Sequence, residues 1–333
     1  MIEFAKQSDS TRREAFTAAS QQLGMNEAII EKDFYVVLMQ EILFHHCNYR
    51  KHFAFKGGTS LSKAYGIIKR FSEDIDVVMD WSLLGLSDGE VWQVRSNTQQ
   101  DKFNRKINRQ AGVWIEEILI PDIRETLKLF GIERFNVYVR EADKQTVIIE
   151  YPRSFNLGNI LPEIRLEIGP LAAWTPSEEK IIKSYVAEII PNAFPYSAVI
   201  IPTVEAKRTF WEKVTILHKE ANRRNDNFVQ RISRHYYDVY MLGQTAIKAE
   251  ALSDVELLNR VVRFKKKFYL DNSARYEEAT IKKLKLLPKE GRLQHLQQDY
   301  QVMGPMFFEK PPAFEEIINY LQQLEQEIHD LKD

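Results

Sequence analysis

The chain has 333 residues, with 46 Lys and Arg against 47 Asp and Glu for a net charge of −1, and 44% of its residues are hydrophobic. This balance is typical of a globular enzyme and excludes the fibrous and disordered classes. No apolar run approaches the roughly 18 to 20 residues of a membrane span, and the first residues lack the apolar core of a secretion signal. We therefore expect a cytoplasmic protein with no membrane partner.

Two helices are predicted near the start of the chain. The first spans about residues 10–23, with candidate N-caps at 8–10 and a C-terminal stop at Gly24. The second spans about residues 26–47 and is mostly apolar, apart from the charged tripeptide Glu31 to Asp33. The residues alone indicate no chemical role for this tripeptide.

The one cysteine, Cys47, lies at the end of the second helix in F-H-H-C-N-Y. A lone cysteine excludes an internal disulfide and is typical of a reducing compartment. The adjacent histidines lack zinc-site spacing, and no second Cys/His pair follows. We therefore expect Cys47 to be structural.

Short strands are predicted next, because apolar residues alternate and turn residues bound each segment. They are H-F-A-F at 52–55, D-I-D-V-V-M-D at 74–80, F-N-V-Y-V-R-E at 135–141, T-V-I-I-E-Y-P at 146–152 and P-E-I-R-L-E-I-G at 162–169. The first strand leads into Gly57-Gly58 and a short helix over about 59–66. Residues from about 89 to 130 have a helical pattern.

After Pro202 the strand pattern ends and helical periodicity continues to Asp333, with breaks at 286–292 and 307–316. We therefore predict an α/β (α+β) fold. Its first domain, residues 1–204, contains the N-terminal helices and a mixed β-sheet with flanking helices. Its second domain, residues 205–333, is α-helical.

The charge is unevenly distributed. Residues 206–289 contain 19 Lys and Arg and 10 Asp and Glu, a local charge of +9, so the remainder carries −10. Such a region is either a solvated helical surface or a surface that binds a polyanion. Two clusters, H-K-E-A-N-R-R-N at 218–225 and R-V-V-R-F-K-K-K-F-Y at 260–269, place aromatic residues beside cations, as phosphate contacts and base stacking require.

Asp74 and Asp76 are the strongest candidates for a metal site. Residues i and i+2 of a strand share one face, so these carboxylates lie about 7 Å apart along it. Their mutual repulsion favours a cation between them, and hard carboxylates suit one or two Mg²⁺ ions in phosphoryl transfer. Alone, such a pair favours a solvated strand edge or a turn, and the element upstream of it shifts the interpretation towards a metal site.

The glycine pair predicts a phosphate site beside these carboxylates. Gly57 and Gly58 allow backbone N–H groups to approach an anion, at the N-terminus of a helix beginning near Thr59. Ser60 and Ser62 supply hydroxyl groups, and Lys63 supplies a positive charge one turn further on.

A third carboxylate would complete a metal-binding set. Glu167 is favoured because its strand is followed by Gly-Pro, which suggests a strand end at an open site. Glu150 is the competing candidate. A surface salt bridge with Arg165, on the same strand face, is the alternative interpretation of Glu167.

Two helices of the second domain carry further candidates. Lys213 lies beside an apolar stripe, so it either extends to solvent or points into a cleft, where it would neutralise phosphate charge. Arg234 and Asp238 are spaced i and i+4, so they can pair with each other. An ordinary helix salt bridge is the alternative for that pair.

The order G-G-T-S-L, S-E-D-I-D and a later strand carboxylate resembles the DNA polymerase beta-type nucleotidyltransferase superfamily. Within it, the chain resembles the AbiEii/AbiGii toxin family, whose relatives include the mycobacterial MenT toxins. The supporting stretches are I-E-K-D-F-Y-V at 30–36, F-K-G-G-T-S-L-S-K-A-Y at 55–65, R-F-S-E-D-I-D-V at 70–77, R-T-F-W-E-K-V-T-I-L-H-K-E-A at 208–221, S-R-H-Y-Y-D-V-Y-M-L at 233–242 and L-Q-Q-D-Y-Q-V-M at 296–303. The chain departs from the pattern of its relatives in two ways. The spacing between Gly58 and Asp74 is longer than in the broad superfamily, and position 235 is His where many relatives carry Asp.

The resemblance implies a nucleotidyltransferase-type core and a Mg²⁺-dependent nucleotidyltransferase toxin. It would transfer NMP from an NTP to an RNA 3′-hydroxyl, with tRNA as favoured acceptor, and block translation in a toxin–antitoxin or phage-defence (abortive infection) system with a cognate antitoxin. The implied catalytic residues are Asp74, Asp76, Glu167, Lys213 and Asp238, of which the first three hold two metal ions. The implied nucleotide-binding residues are Gly57, Gly58, Thr59, Ser60, Lys63 and Arg234. The alternatives are nucleotidylation of a protein or small molecule, and a non-catalytic nucleotide-binding or interaction module.

Overall fold

The computed structural model describes residues 1–72, 74–132, 134–156, 161, 163–173, 175–223 and 229–332. The chain forms two compact units. The sheet unit comprises Met1–Ala64, Glu73–Arg95 and Lys102–Thr203, and the helical unit comprises Tyr65–Ser72, Ser96–Asp101 and Val204–Asp333. The domain division predicted at residues 204 and 205 remains a prediction.

A seven-stranded mixed sheet organises the first unit. Its strands are β1 (Phe53–Lys56), β2 (Asp74–Met79), β3 (Asn136–Arg140), β4 (Asp143–Glu150), β5 (Glu163–Gly169), β6 (Ser177–Ile182) and β7 (Val199–Val204), in the order β3-β4-β5-β2-β1-β7-β6. β2 pairs parallel with β5 and antiparallel with β1, while β4 pairs antiparallel with β3 and β5. The sequence predicted β1 to β5 to within about three residues at each end.

The last two strands were not predicted. β6 is polar and mostly exposed and forms one edge of the sheet, so it lacks the alternation that identifies a half-buried strand. β7 contains Pro202, which argues against a strand in sequence-based reasoning, yet it pairs parallel with β1 at Phe55 and Thr203. The expectation that strands end by Pro202 is therefore wrong by two residues.

Among the residues that the structure describes, eight α-helices precede β7 in the sequence: α1 (Ile2–Ala5), α2 (Asp9–Leu23), α3 (Glu27–Glu41), α4 (Gly57–Lys63), α5 (Asp88–Trp92), α6 (Asn97–Trp114), α7 (Ile120–Leu129) and α8 (Tyr185–Ile189). The Ser8 hydroxyl caps α2 by accepting from the backbone N–H of Thr11, and Gly24 ends it in the left-handed conformation. The predicted helix over 26–47 is α3 followed by a π-helical turn, Ile42–His46.

The charged tripeptide in α3 anchors the chain around the sheet. α3 is buried on nearly all sides, including Glu31, Lys32 and Asp33. Glu31 accepts the backbone N–H groups of Ser154 (2.7 Å) and Phe155 (3.1 Å), just after β4. The Lys32 ammonium donates to the carbonyl of residue 161, just before β5, at 2.9 Å.

Asp33 completes this set of anchors. It accepts the backbone N–H of Tyr185 at 2.7 Å and forms a buried ion pair with Lys63 of α4. The Lys63 ammonium also lies 3.4 Å from the centre of the Tyr185 ring. The tripeptide thus has a structural role, because charged groups this deeply buried are stable only when each is paired or hydrogen-bonded.

In the described part of the chain after β7, six α-helices follow: α9 (Ala206–Asn222), α10 (Ser233–Gly243), α11 (Ala246–Leu252), α12 (Val255–Phe268), α13 (Leu293–Val302) and α14 (Phe314–His329). Breaks between α12 and α13 and between α13 and α14 coincide with the two predicted Pro/Gly segments. Within the described ranges, no helix is both long and apolar enough to cross a membrane.

Replacing Asp33 with Ala should lower the free energy of unfolding by about 3–5 kcal/mol, because it leaves the buried Lys63 charge without its partner. The double variant Asp33→Ala/Lys63→Met should lose less than the sum of the two single variants. Urea denaturation of the wild type and the three variants measures both effects. Additive losses, or a loss below about 1 kcal/mol for Asp33→Ala, would contradict the anchoring role.

Candidate functional site

The pairing of β2 with β5 collects three carboxylates on one face of the sheet. Asp76 lies directly opposite Glu167, and Asp74 lies opposite Arg165. Because Asp74 and Asp76 are two residues apart, they share the face on which Glu167 lies. The other face carries Ile75, Val77 and Met79 in the hydrophobic core.

Gly57 lies directly against this carboxylate row. Its φ of +80° is a conformation that residues with a Cβ rarely adopt, and a Cβ there would lie 2.6 Å from Cγ of Asp76 and overlap its carboxylate. On β1, Lys56 lies opposite Asp76 across the antiparallel pair. The glycine therefore permits close approach of the β1–α4 turn to the carboxylates, and Lys56 places a positive charge on the same row.

The hydroxyl groups after the glycine pair are used within the fold. Thr59 donates to the backbone carbonyl of Asp74, and Ser60 donates to the carbonyl of Gly57 at 2.9 Å. Both side chains are buried, with 1% and 0% exposure. The Thr59 bond ties α4 to β2, whereas the Ser60 bond lies within the first turn of α4. The phosphate contacts predicted for these two residues remain predictions.

The helix itself begins two residues earlier than expected, because Gly57 and Gly58 form its first turn. No side chain of the described residues caps that first turn. Lys63, at the other end of α4, is held by Asp33. Its predicted contact with a nucleotide also remains a prediction.

The strand register shows which of the two candidates for the third carboxylate, Glu167 or Glu150, lies beside Asp76. Glu150 lies opposite Glu163 on β5, four residues from the position opposite Glu167, or about 13 Å along the strand. It accepts hydrogen bonds from the Tyr138 hydroxyl (3.0 Å) and the Asn136 amide (3.1 Å). Of the two, only Glu167 is next to Asp76.

The donor chemistry of this row suits a hard divalent cation such as Mg²⁺, because three carboxylates share one face beside a glycine turn. The side chains are not drawn together: among the described residues, no group of three His, Cys, Asp or Glu side chains is arranged to hold a metal ion. Asp74 and Asp76 are half-buried and Glu167 is exposed. The residue types and the strand register fit a metal site, and coordination would require their side chains to converge.

A second cluster of candidate residues lies within the helical unit. Asp238, on α10, is completely buried and receives a bidentate pair from Arg70, with both N–O distances 2.9 Å. The Lys213 ammonium, on α9, lies 2.7 Å from the same carboxylate. Burial alone would raise the pKa of Asp238, but the charges of Arg70 and Lys213 lower it below its ordinary value.

Lys213 does not extend to solvent. It is 6% exposed, and burial lowers its pKa while the Asp238 carboxylate opposes that shift. The spacing of Arg234 and Asp238 suggested that these two residues pair with each other. Instead, Arg70 and Lys213 bind both oxygens of the Asp238 carboxylate. Arg234 is half-buried at the start of α10.

Arg70 is the residue that sequence reasoning missed. It precedes S-E-D-I-D in the chain, but residues 65–72 belong to the helical unit. Its segment is held there by hydrogen bonds of Phe71 N–H to the Met306 carbonyl (2.7 Å) and of Lys69 N–H to the Tyr237 hydroxyl (3.0 Å). The only sequence signal was an Arg within the family motif R-F-S-E-D-I-D-V. Glu73 of that motif lies outside the described residues.

His235 is half-buried beside this cluster, with its Nδ1 3.5 Å from the Lys213 ammonium. Burial, and then the positive charge of Lys213, hold its pKa well below the ordinary value of 6.5. A neutral imidazole here can accept a hydrogen bond from the Lys213 ammonium without adding another positive charge to the cluster.

Replacing His235 with Asn should change the pH dependence of stability. Because the native ring stays neutral, only the unfolded chain takes up this proton below pH 6.5. As pH falls below that value, the wild type should lose unfolding free energy relative to the variant, by about 1.4 kcal/mol per pH unit. Urea denaturation between about pH 7.5 and 5 measures the difference. A difference that does not change with pH would contradict the neutral ring.

Comparison with known proteins assigns the family. The family described as nucleotidyl transferase AbiEii toxin, type IV TA system, matches residues 41–320. Among solved structures, the chain is similar to the nucleotidyltransferase toxin MenT4 from Mycobacterium tuberculosis H37Rv, with 16% identity over 86% of this chain and 98% of that chain and a TM-score of 0.33. No curated protein matches the chain. The family match implies a nucleotide substrate, a divalent metal and an antitoxin partner. Because the match covers most of the sequence, the chain belongs to the AbiEii family and is a nucleotidyltransferase toxin of a type IV toxin–antitoxin system.

Proposed function

We propose that the protein transfers NMP from an NTP to the 3′-hydroxyl of an RNA in a Mg²⁺-dependent reaction in the cytoplasm, with tRNA as the favoured acceptor. The observation that carries this proposal is the row formed by Asp74, Asp76 and Glu167 beside Gly57. Carboxylates on one face beside an open backbone turn provide what a metal-assisted phosphoryl transfer requires.

The reaction forms a bond between the 3′-oxygen and the α-phosphorus of the NTP. The bond from that phosphorus to the bridging oxygen breaks, pyrophosphate leaves, and the hydroxyl proton is released. Bound Mg²⁺ would neutralise phosphate charge and lower the pKa of the attacking hydroxyl. Asp74 and Asp76 would hold the cations, and Glu167 would orient the attacking hydroxyl and complete the metal-binding set.

The nucleotide is assigned to the β1–α4 turn. Gly57 and Gly58 leave the backbone open to a phosphate, and Thr59, Ser60 and Lys63 follow along α4. Because the Thr59 and Ser60 hydroxyls are used within the fold, we assign phosphate binding first to the backbone of the turn. Arg234 remains a further candidate for nucleotide binding.

Lys213 is assigned to neutralising the charge of the leaving pyrophosphate, and Asp238 to positioning Lys213. The 2.7 Å ion pair between Lys213 and Asp238 supports this, because a carboxylate that is also held by Arg70 fixes the position of the Lys213 ammonium. A positioned ammonium can neutralise charge that develops on a phosphate group.

An RNA acceptor is favoured by the excess of cations in residues 206–289. Modification of tRNA 3′ ends would block aminoacylation and translation, consistent with a toxin that an antitoxin must control. Nucleotidylation of a protein or small molecule is the competing reaction, and a non-catalytic binding module is the competing class. Steep weakening of acceptor binding with salt distinguishes RNA from the other acceptors.

Replacing Asp76 with Asn or Glu167 with Gln should reduce NMP incorporation at least about 100-fold, because each change removes a metal-binding charge. Glu150→Gln is the matched control: it lies on the same sheet face, about 13 Å away along the strand, and should retain activity. Incorporation of each labelled NTP into total tRNA measures the effect. No incorporation by the wild type with any NTP would contradict the proposed acceptor, and full activity of Asp76→Asn would contradict the metal assignment.

Replacing Gly57 with Ala should reduce incorporation more than about tenfold, because the added methyl group would displace the Asp76 carboxylate. Gly24→Ala is the control, since Gly24 has a similar positive φ (+66°) and no atom within 4 Å of an added Cβ. Both variants should lose about 1–2 kcal/mol of unfolding free energy from backbone strain. Equal activity of the two variants would contradict the close approach at Gly57.

A further inference from the structure

Helix α12, Val255–Phe268, has two faces of opposite character. Its buried residues are Leu257, Leu258, Val261, Phe264 and Phe268. Its exposed face carries Arg260, Arg263 and Lys266. At this three-residue spacing the side chains are neighbours on the helix surface, so they form a continuous cationic stripe about 9 Å long.

The stripe has few acidic neighbours on its own helix. α12 contains five Lys and Arg, at 260, 263, 265, 266 and 267, against one acid, Glu256. Lys265 is directed inward, where its ammonium donates to the Glu212 carbonyl at 2.8 Å. Arg260 approaches Asp254 only to 3.9 Å, and its side chain is 50% exposed. α12 therefore carries four more basic than acidic residues.

A cavity of about 320 Å³ lies at the C-terminal end of the stripe. It is lined by Asn97, Lys266, Tyr269, Leu270, Asp271, Asn272, Tyr276 and Glu277. Tyr269 is 51% exposed, whereas Tyr276 is buried. Lys266 belongs to both features, so the stripe continues into the cavity.

The chemistry of the cavity differs from that of the stripe. Asp271 pairs with Lys219 at 2.8 Å, so much of the charge around the cavity is balanced. Amide and carboxylate groups provide donors and acceptors, and the Tyr269 ring offers an exposed aromatic surface. A cavity near the lower end of the roughly 300–1,000 Å³ range of ligand pockets suits a small planar group. Base rings are recognised by this combination of stacking and edge hydrogen bonds.

We propose that α12 and this cavity form the docking surface for the acceptor RNA. The phosphate backbone follows Arg260, Arg263 and Lys266, and one unpaired base enters the cavity and stacks on Tyr269. This inference rests on the proposed RNA acceptor, and it adds a surface whose task is to bind RNA. RNA is favoured over an acidic protein because the cations are regularly spaced along the helix and the stripe ends beside the exposed ring of Tyr269.

RNA binding without NTP tests this inference separately from catalysis. Fluorescence anisotropy with labelled total tRNA, over about 50 to 200 mM salt, gives the affinity and its salt dependence. The variant Arg260→Gln/Arg263→Gln/Lys266→Gln should lower the slope of log K against log salt by about two to three, since each lost phosphate contact contributes about 0.7 to 0.9. The matched control Lys106→Gln/Lys128→Gln/Lys310→Gln loses the same charge from exposed lysines outside residues 206–289 and should keep the wild-type slope.

The aromatic residue is tested in the same assay. Tyr269→Ala should weaken tRNA binding on the order of 5- to 150-fold, because it removes a stacking surface, and Tyr269→Phe should bind nearly as the wild type. Circular dichroism and urea denaturation confirm that the variants are folded.

The possible outcomes separate the two proposals. If the wild type binds tRNA and the stripe variant matches its control, the α12 surface is wrong while the transfer reaction can still be measured. If tRNA binding follows the predictions but no NTP is incorporated, the surface stands and the proposed transfer to tRNA fails. If the stripe variant keeps tRNA binding but loses binding of the cognate antitoxin, α12 is a protein-docking surface and the inference is overturned.

Discussion

The parallel pairing of β2 with β5 is the constraint on which the candidate site depends. It places Asp76 opposite Glu167, and the two-residue periodicity of β2 adds Asp74 to the same face. Three carboxylates in one row repel one another, and such repulsion raises the pKa of carboxyl groups unless cations are near. Lys56, opposite Asp76, reduces this cost in part. A divalent cation would reduce it much further, which links the sheet register to metal-dependent chemistry.

The surrounding sheet unit holds this row in place. The buried tripeptide of α3 holds Ser154 and Phe155 through Glu31 and the carbonyl of residue 161 through Lys32, and it holds α4 through Asp33. α4 is in turn bonded to β2 by Thr59, while Gly57 leaves space for the Asp76 carboxylate. The three charged side chains of the otherwise apolar helix α3 therefore help to position α4 and β5, which carry residues of the site. Within the helical unit, Asp238 performs a similar task by holding Arg70 and Lys213 together.

Local pattern was sufficient to predict much of the fold. β1 to β5, the N-cap region of α2 and the helical end of the chain follow from alternation, capping residues and helical periodicity. The shared face of Asp74 and Asp76 follows from strand periodicity alone. β6 and β7 were not predictable in this way, because one is a polar edge strand and the other contains Pro202. Contacts between residues distant in sequence could not be predicted either, because the Arg70–Asp238 and Asp33–Lys63 pairs leave no pattern in the local sequence.

The central claim is that Asp74, Asp76 and Glu167 together bind a divalent cation. Its most direct test is Mn²⁺ titration of the purified protein, followed by electron paramagnetic resonance of the free ion, with an NTP analogue that cannot be hydrolysed. The account predicts saturable Mn²⁺ binding by the wild type and by Glu150→Gln, competed by Mg²⁺, and a loss of at least about tenfold in affinity for Asp76→Asn. Wild-type affinity for Mn²⁺ in Asp76→Asn would contradict it.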